Sequence, residues 1–315
     1  MKTYKNIEEF KNIENPVVTT GTFDGIHLGH RTILNRLKEI AARNKGETVL
    51  LTFFHHPRMV LYPDENNLKL LNTQDEKIKL LEKTGIDHLV TIPFTKEFSR
   101  LTAIEFVRDI LVNKIGVKKL VIGYNHHFGK NREGTLEQLK EYAPTYGFEI
   151  EEIPAQDVDN VNVSSTKIRE ALLKGDVQTA NSYLGYDYFL TGNVIKGSRV
   201  GQTLGFPTAN IVVEEKYKLI PADGVYAVKA KLNGKVHNGM LNIGVRPTLN
   251  PDGPDHGKNK KSIEINIFDF NDDIYNHRLT VSFRARIRDE KKFDDLEALK
   301  KQLLIDKEKS ISLLA

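Results

Sequence analysis

The sequence predicts two domains of different class: a doubly wound α/β domain over residues 1–185, and a small all-β domain with a C-terminal helix over 186–315. Three observations carry this. Before about residue 185, short runs rich in Val, Ile, Leu and Phe alternate with amphipathic stretches, and such alternation implies a parallel sheet with helices on both faces. Beyond it, β-like runs follow one another with few helical intervals, the texture of an antiparallel barrel or sandwich. The length of 315 residues accommodates two domains of ordinary size, roughly 100–200 residues each.

In the first part, strands are expected at 17–20, 48–54, 88–93, 118–123 and 148–153. None alternates strictly, as befits strands buried on both faces. Ile33, Leu34, Leu37, Ile40 and Ala41 recur at helical spacing, and so do Phe106, Val107, Ile110 and Leu111. Thr73 with Glu76, Thr102 with Glu105, and Thr135 with Gln138 have the capping-box spacing that starts a helix. In the second part, strands are expected at 188–196, 224–231, 235–243, 262–270 and 279–287. Asn233-Gly234 is the pair preferred by a two-residue type I′ hairpin turn. Residues 251–261 read as a loop, and Phe293, Leu296, Leu299 and Leu303 predict a helix over 293–304.

Composition narrows the function classes. Hydrophobic residues make up 39% and charged residues 28%, as in soluble globular proteins. No apolar run approaches the ~18 residues of a membrane span. The N-terminus lacks the apolar core and small-residue cleavage site of a signal peptide, so none is expected. The absence of cysteine excludes disulfides, thiolate metal sites and a cysteine nucleophile, and fits a reducing compartment. Lys and Arg total 46 against 42 Asp and Glu, a net +4 too small for a nucleic-acid coat or a membrane patch. The one dense basic cluster, 258–261, is a short loop segment. These features predict a cytoplasmic protein with no nucleic acid and no membrane as partner; homo-oligomer formation is left open.

The first strand runs directly into Gly21-Thr-Phe-Asp-Gly-Ile-His27-Leu-Gly29-His30, and a helix follows. Ligands of doubly wound sheets bind outside the carboxyl ends of strands, beside helix N-termini whose unpaired N–H groups suit phosphate. Gly21, Gly25 and Gly29 allow close backbone approach, and two imidazoles can donate to phosphate oxygens. Neither a Walker A nor a dinucleotide fingerprint occurs in the chain. A second helix opens with Val163-Ser-Ser165-Thr166-Lys167-Ile-Arg169. Cations in a first turn oppose the helix dipole, so Lys167 and Arg169 suit a polyphosphate better than they suit stability.

His-x-Gly-His followed by this Ser/Thr-Lys-Arg segment resembles the nucleotidyltransferase superfamily. The match is closer to the FMN adenylyltransferase module of bacterial bifunctional riboflavin kinase/FAD synthetases. The stretches at 52–58, 122–134 and 163–169 share that likeness. The resemblance implies transfer of AMP from ATP to the phosphate of FMN, giving FAD and pyrophosphate. His27 and His30 would stabilise charge on the phosphates, and Arg169 would hold the leaving pyrophosphate. Gly21, Phe23, Gly29, Ser165 and Thr166 would bind ATP, with Pro57, Asn125 and Phe128 near the flavin. The FMN phosphate is already an anionic nucleophile, so positioning and charge stabilisation are what the protein must supply. His126 departs from the aromatic often found in the family.

In the β part, glycines recur at Gly192, Gly197, Gly201 and Gly205, followed by Phe-Pro207-Thr208-Ala-Asn210. Backbone amides of such a loop can wrap phosphates. Thr208 and Asn210, two apart on an extended segment, lie on one side as hard oxygen donors for Mg²⁺. Glu264, taken alone, is a carboxylate on a strand. This half resembles riboflavin kinase along nearly its whole length, through 205–210, 224–228, 239–248 and 263–270. That likeness implies a six-stranded barrel and Mg²⁺-ATP phosphorylation of riboflavin to FMN. Glu264 would be the general base, Thr208 and Asn210 would hold Mg²⁺ and ATP, and Gly197, Gly201 and Gly205 would lie in the loop over the phosphates. Asn266 stands where many members have His, and Asn276 where Gly is usual.

Overall fold

The computed structural model describes residues 1–11, 13–63, 68–123, 126–153, 163–196, 200–246 and 260–315. The chain divides into two compact units, Met1–Ser165 and Thr166–Ala315.

In the first unit, β1 (Lys2–Tyr4), β2 (Val17–Thr20), β3 (Thr48–Phe54), β4 (His88–Pro93), β5 (Lys119–Gly123) and β6 (Glu149–Ile153) form one parallel sheet ordered β1-β4-β3-β2-β5-β6. The five expected strands are present, and β1 adds an edge strand too short for its pattern to be seen. Val18, Val49, Val90 and Leu120 join one core with Phe106, Leu111 and Leu139. Their alternate neighbours Val17, Leu50, Leu89 and Val121 are at most 1% exposed, so both faces of the sheet are covered.

Helix α1 (Leu28–Arg43) packs over β2, β3 and β5, burying Leu34, Leu37, Ile40 and Ala41. It is followed by α2 (Pro57–Leu61), α3 (Gln74–Glu82), α4 (103–112) and α5 (Leu136–Tyr146). All three capping boxes form, at Thr73, Thr102 and Thr135. From Phe106 to Val112, α4 is wound as a π-helix, which the apolar spacing does not reveal.

The second unit begins with α6 (Ser165–Leu173, its first residue in the first unit) and α7 (Val177–Leu184). Six antiparallel strands then close a barrel: β7 (Phe189–Ile195), β8 (Ala209–Val212), β9 (Gly224–Leu232), β10 (Lys235–Arg246), β11 (Lys260–Ile267) and β12 (Arg278–Arg288). Buried and partly exposed residues alternate along β12, in contrast with the wholly buried β2. Asn233 (φ 47°) and Gly234 (φ 84°) both adopt the left-handed conformation that joins β9 to β10 as a type I′ turn. Strand β8 was absent from the expected strands because its four residues follow the Gly-Phe-Pro-Thr segment without a periodic signal of their own.

The last helix, α9 (Leu296–Leu314), follows α8 (Val200–Thr203) and is ten residues longer than expected at its C-terminal end. Its packed side is the expected one, apart from the first residue of the helix. Leu299, Leu303 and Leu314 meet the barrel's apolar cluster, whereas Leu296 is 58% exposed. Asp306 continues that side past Leu303. It lies buried on this helix and accepts from Arg288 Nε at 3.0 Å and Nη2 at 2.8 Å, with Gln302 Nε2 at 3.0 Å. Removing one partner of a buried ion pair leaves the other charge uncompensated. Asp306→Ala is therefore expected to destabilise this unit by about 3 kcal/mol, read as a lowered thermal midpoint with the first unit unaffected.

Candidate functional site

Strand β2 pairs with β3 on one side and β5 on the other, so chain order reverses at β2. This topological switch point is where open α/β sheets bind ligands. The turn leaving β2 is tightly contorted, with Phe23 (φ 48°), Gly25 (φ 90°) and Ile26 (φ 40°) left-handed. A left-handed β-branched Ile is rare, and such geometry is held only where the surroundings over-determine it.

The surroundings do so here. The buried Asp24 carboxylate accepts from Leu71 N at 2.9 Å and Asn72 N at 3.3 Å. Its carbonyl accepts from Ser165 Oγ at 2.9 Å. A Cβ at Gly21 would meet the Phe23 ring at 3.0 Å, so the first glycine makes room for that ring.

His27 is the N-cap of α1, its Nδ1 accepting from His30 N at 3.4 Å. That bond fixes the tautomer: the imidazole proton sits on Nε2, which is then the donor. The His27 and His30 rings stack with centroids 3.7 Å apart, and Phe23 packs on His30 at 4.8 Å. Among the described residues, His30 Nδ1 is buried with no hydrogen-bond partner, as are both side-chain polar atoms of Asn72. Burial first, then His27 and Lys77, hold the His30 imidazole well below its ordinary titration range.

Lys77, on α3, is only 8% exposed and was not anticipated. Burial lowers its amine to about 8, against the opposing pull of Asp24. The sequence did carry a signal, since Lys77 shares the buried stripe of Leu80 and Leu81, three and four residues on.

The structure thus gathers His27, His30, Phe23, Gly21, Gly29 and Ser165 around one helix N-terminus. Thr166 and Arg169 lie on α6 in the second unit, Thr166 exposed and Arg169 half-buried. Pro57 is the first residue of α2, behind the His56 cap. Phe128 belongs to the core, its ring 5.7 Å from Phe106. Asn125 lies outside the described residues. Its neighbour His126 stacks on Phe128 at 6.0 Å, and burial lowers it to about 4.

In the barrel, Glu264 on β11 stands directly opposite Asn210 on β8 and Asn242 on β10. Directly opposed residues share a face with Cβ atoms about 5 Å apart, so a carboxylate sits between two amides. Asn266, on the same face two residues on, donates from Nδ2 to the Pro207 carbonyl at 2.7 Å and anchors the segment entering β8. Asn276 has φ 63°, a conformation Asn tolerates far better than most residues, so it can occupy a position suited to Gly.

A cavity of about 360 Å³ opens beside Thr208, lined by Gln202, Ala209, Ile265 and residues 270–275. Residues 271–274 were not singled out from the sequence, because only the closed barrel brings them to the cavity that Thr208 also lines. Gly201 falls on α8, where a side chain would run into the Phe206 carbonyl, and Gly205 is left-handed at φ 83°. Gly197 lies outside the described residues. No described helix is long and apolar enough to cross a membrane.

Comparison with known proteins gives a match on each unit. The family model described as FAD synthetase matches residues 9–167, and that described as riboflavin kinase matches 184–314. The bifunctional riboflavin kinase/FMN adenylyltransferase of Listeria monocytogenes is 38% identical over 294 residues, covering 93% of this chain and 91% of that protein. Its counterpart in Bacillus subtilis is 36% identical over 297 residues, covering 94% and 91%. A crystal structure from Streptococcus pneumoniae, described as a macrolide-efflux protein, is similar at TM-score 0.85 and 32% identity, covering 98% of this chain and 97% of that one.

Proposed function

The chain belongs to the bifunctional riboflavin kinase/FMN adenylyltransferase family, and on that premise we propose how its own residues share two transferase reactions. The barrel transfers a phosphoryl group from ATP to riboflavin, giving FMN and ADP. The α/β domain transfers AMP from a second ATP to FMN, giving FAD and pyrophosphate. The division we assign is 1–185 for adenylyl transfer and 186–315 for the kinase.

In adenylyl transfer, the His27 Nε2–H and the N-terminal amides of α1 donate to phosphate oxygens, and His30, stacked on His27, adds a second imidazole. Gly21, Phe23, Gly29, Ser165 and Thr166 shape the ATP site, and Arg169 binds the pyrophosphate that leaves. Pro57, Asn125 and Phe128 form the flavin side. The observation that carries this reading is the pair of stacked imidazoles at a helix N-terminus on the switch point of the sheet. No general base is required, because the attacking FMN oxygen is already anionic.

In the kinase, Glu264 takes the proton of the riboflavin 5′-hydroxyl, which a neutral nucleophile must lose. Thr208 and Asn210 fit Mg²⁺ by chemistry: both offer neutral hard oxygens, beside the Glu264 carboxylate opposite Asn210. Bound there, the ion would neutralise charge on the ATP phosphates. Gly197, Gly201 and Gly205 belong to the loop over those phosphates, and the cavity beside Thr208 has the size of a small-ligand pocket. We place the protein in the cytoplasm, in keeping with its lack of cysteine and the flavins it uses.

The test is a time course with riboflavin and MgATP, resolved by chromatography. FMN rising and then yielding to FAD is the expected result. FMN accumulating without FAD removes the assignment of the histidine turn. Conversion of supplied FMN but not riboflavin removes that of Glu264 and its neighbours.

A further inference from the structure

Lys77 is a buried amine in the adenylyltransferase domain to which the reaction outlined above gives no work. Its Nζ lies 3.4 Å from the Thr22 carbonyl, 3.3 Å from Thr52 Oγ1 and 3.5 Å from the Phe53 carbonyl. Thr22 belongs to the histidine turn; Thr52 and Phe53 lie in the last three residues of β3, before the Pro57 segment. One ammonium therefore joins the turn that leaves β2 to the final residues of the neighbouring strand β3. Removing an ammonium from water is costly, and three neutral oxygens at the long end of hydrogen-bond range repay little of that cost. A neutral residue, or an apolar one of similar length, would serve the core better.

We propose that Lys77 is a positioning residue for adenylyl transfer, its ammonium tying the histidine turn at Thr22 to the end of β3 and so fixing the His30 imidazole for phosphate. This rests on the reading of the histidine turn as the adenylyltransferase site. The charged and titratable groups around the amine are consistent with it. From the turn, Asp24 attracts the ammonium, but its carboxylate is also held by Leu71 N and Asn72 N. From α1, His30 feels the Lys77 charge, which helps to keep that imidazole neutral. On α3 itself, the Glu76 carboxylate accepts from Thr73 N in the capping box. The Lys77 charge felt at His30 is part of the field that an incoming polyphosphate would meet.

The experiment compares Lys77→Met and Lys77→Arg with the unmodified protein, using supplied FMN and MgATP for FAD formation. Riboflavin phosphorylation by the same chain serves as the control for the second unit, and thermal melts report the folding of the first. Lys77→Met is expected to lower kcat for FAD formation about a hundredfold with KM for ATP little changed, since small misplacement of a catalytic group costs that much. Kinase activity stays at its original level, and Lys77→Arg recovers most of the loss. By NMR, the His30 ring is expected to titrate at higher pH in Lys77→Met and to return toward its original position in Lys77→Arg. FAD formation by Lys77→Met within about threefold of the original overturns the proposal. So does a loss accompanied by unfolding of the first unit in thermal melts, which makes Lys77 a residue of the fold alone. If the unmodified protein converts riboflavin to FMN but never FMN to FAD, the underlying reading of the turn fails first, and the proposal with it.

Discussion

Glu264→Gln is expected to reduce FMN formation from riboflavin by about 10²–10⁴-fold while FAD formation from supplied FMN continues at its original rate. The asymmetry follows from the nucleophiles. Riboflavin presents a neutral hydroxyl that must lose a proton as it attacks, whereas FMN presents an anionic phosphate. Glutamine keeps the shape of the side chain and its place between Asn210 and Asn242, so the barrel register persists and only the basic oxygen is lost. The measurement is initial rates of the two half-reactions on the same preparation. Persistence of FMN formation within about tenfold removes Glu264 as the base.

His30→Ala is expected to have the opposite selectivity: FAD formation falls about 10²–10³-fold and riboflavin phosphorylation is untouched. Loss of one preorganised donor to a transferring phosphate has this order of effect. The stacked rings 3.7 Å apart also predict non-additivity, so His27→Ala with His30→Ala should cost less than the sum of the two single changes.

A stability signature accompanies the kinetic one. Burial depresses the folded-state titration of His30, so the unfolded chain binds the proton more readily. Stability attributable to this residue is full above its ordinary pKa of about 6.5 and declines as pH falls below that value. His30→Ala should therefore flatten the acid side of the first unit's stability profile, measured by urea unfolding between about pH 5 and 8. An unchanged slope would place His30 in a wetter setting than its unpartnered Nδ1 indicates.

Much of this was legible in the residues. The histidine turn announced itself because a ligand-binding turn concentrates its signal in consecutive positions: three glycines, two histidines, a strand before and a helix after. The capping boxes were equally local, each a pair three residues apart, and each formed. The type I′ turn at Asn233-Gly234 was written in two residues. By contrast, β8 has four residues and no periodicity, and exists as a strand only because β7 and β11 pair with it. The reach of α9 beyond residue 304 was not legible because Asp306 looks like a surface residue until Arg288 of β12 is beside it.

The two-domain class, the alternation of strand and helix in the first domain, the histidine turn at a helix N-terminus and, through likeness to a family, the pair of reactions could be read from the residues alone. These rest on short-range chemistry: helix and strand periods, caps, turns and contiguous motifs. The folded chain was needed to show that β2 is the switch point, that His27 and His30 stack, that Lys77 is buried between Thr22 and Phe53, and that Glu264 stands between Asn210 and Asn242. All but the His27–His30 stack join residues far apart in the chain. Their pairing depends on sheet order, barrel closure and burial, quantities set by how the whole chain excludes water rather than by any run of neighbours.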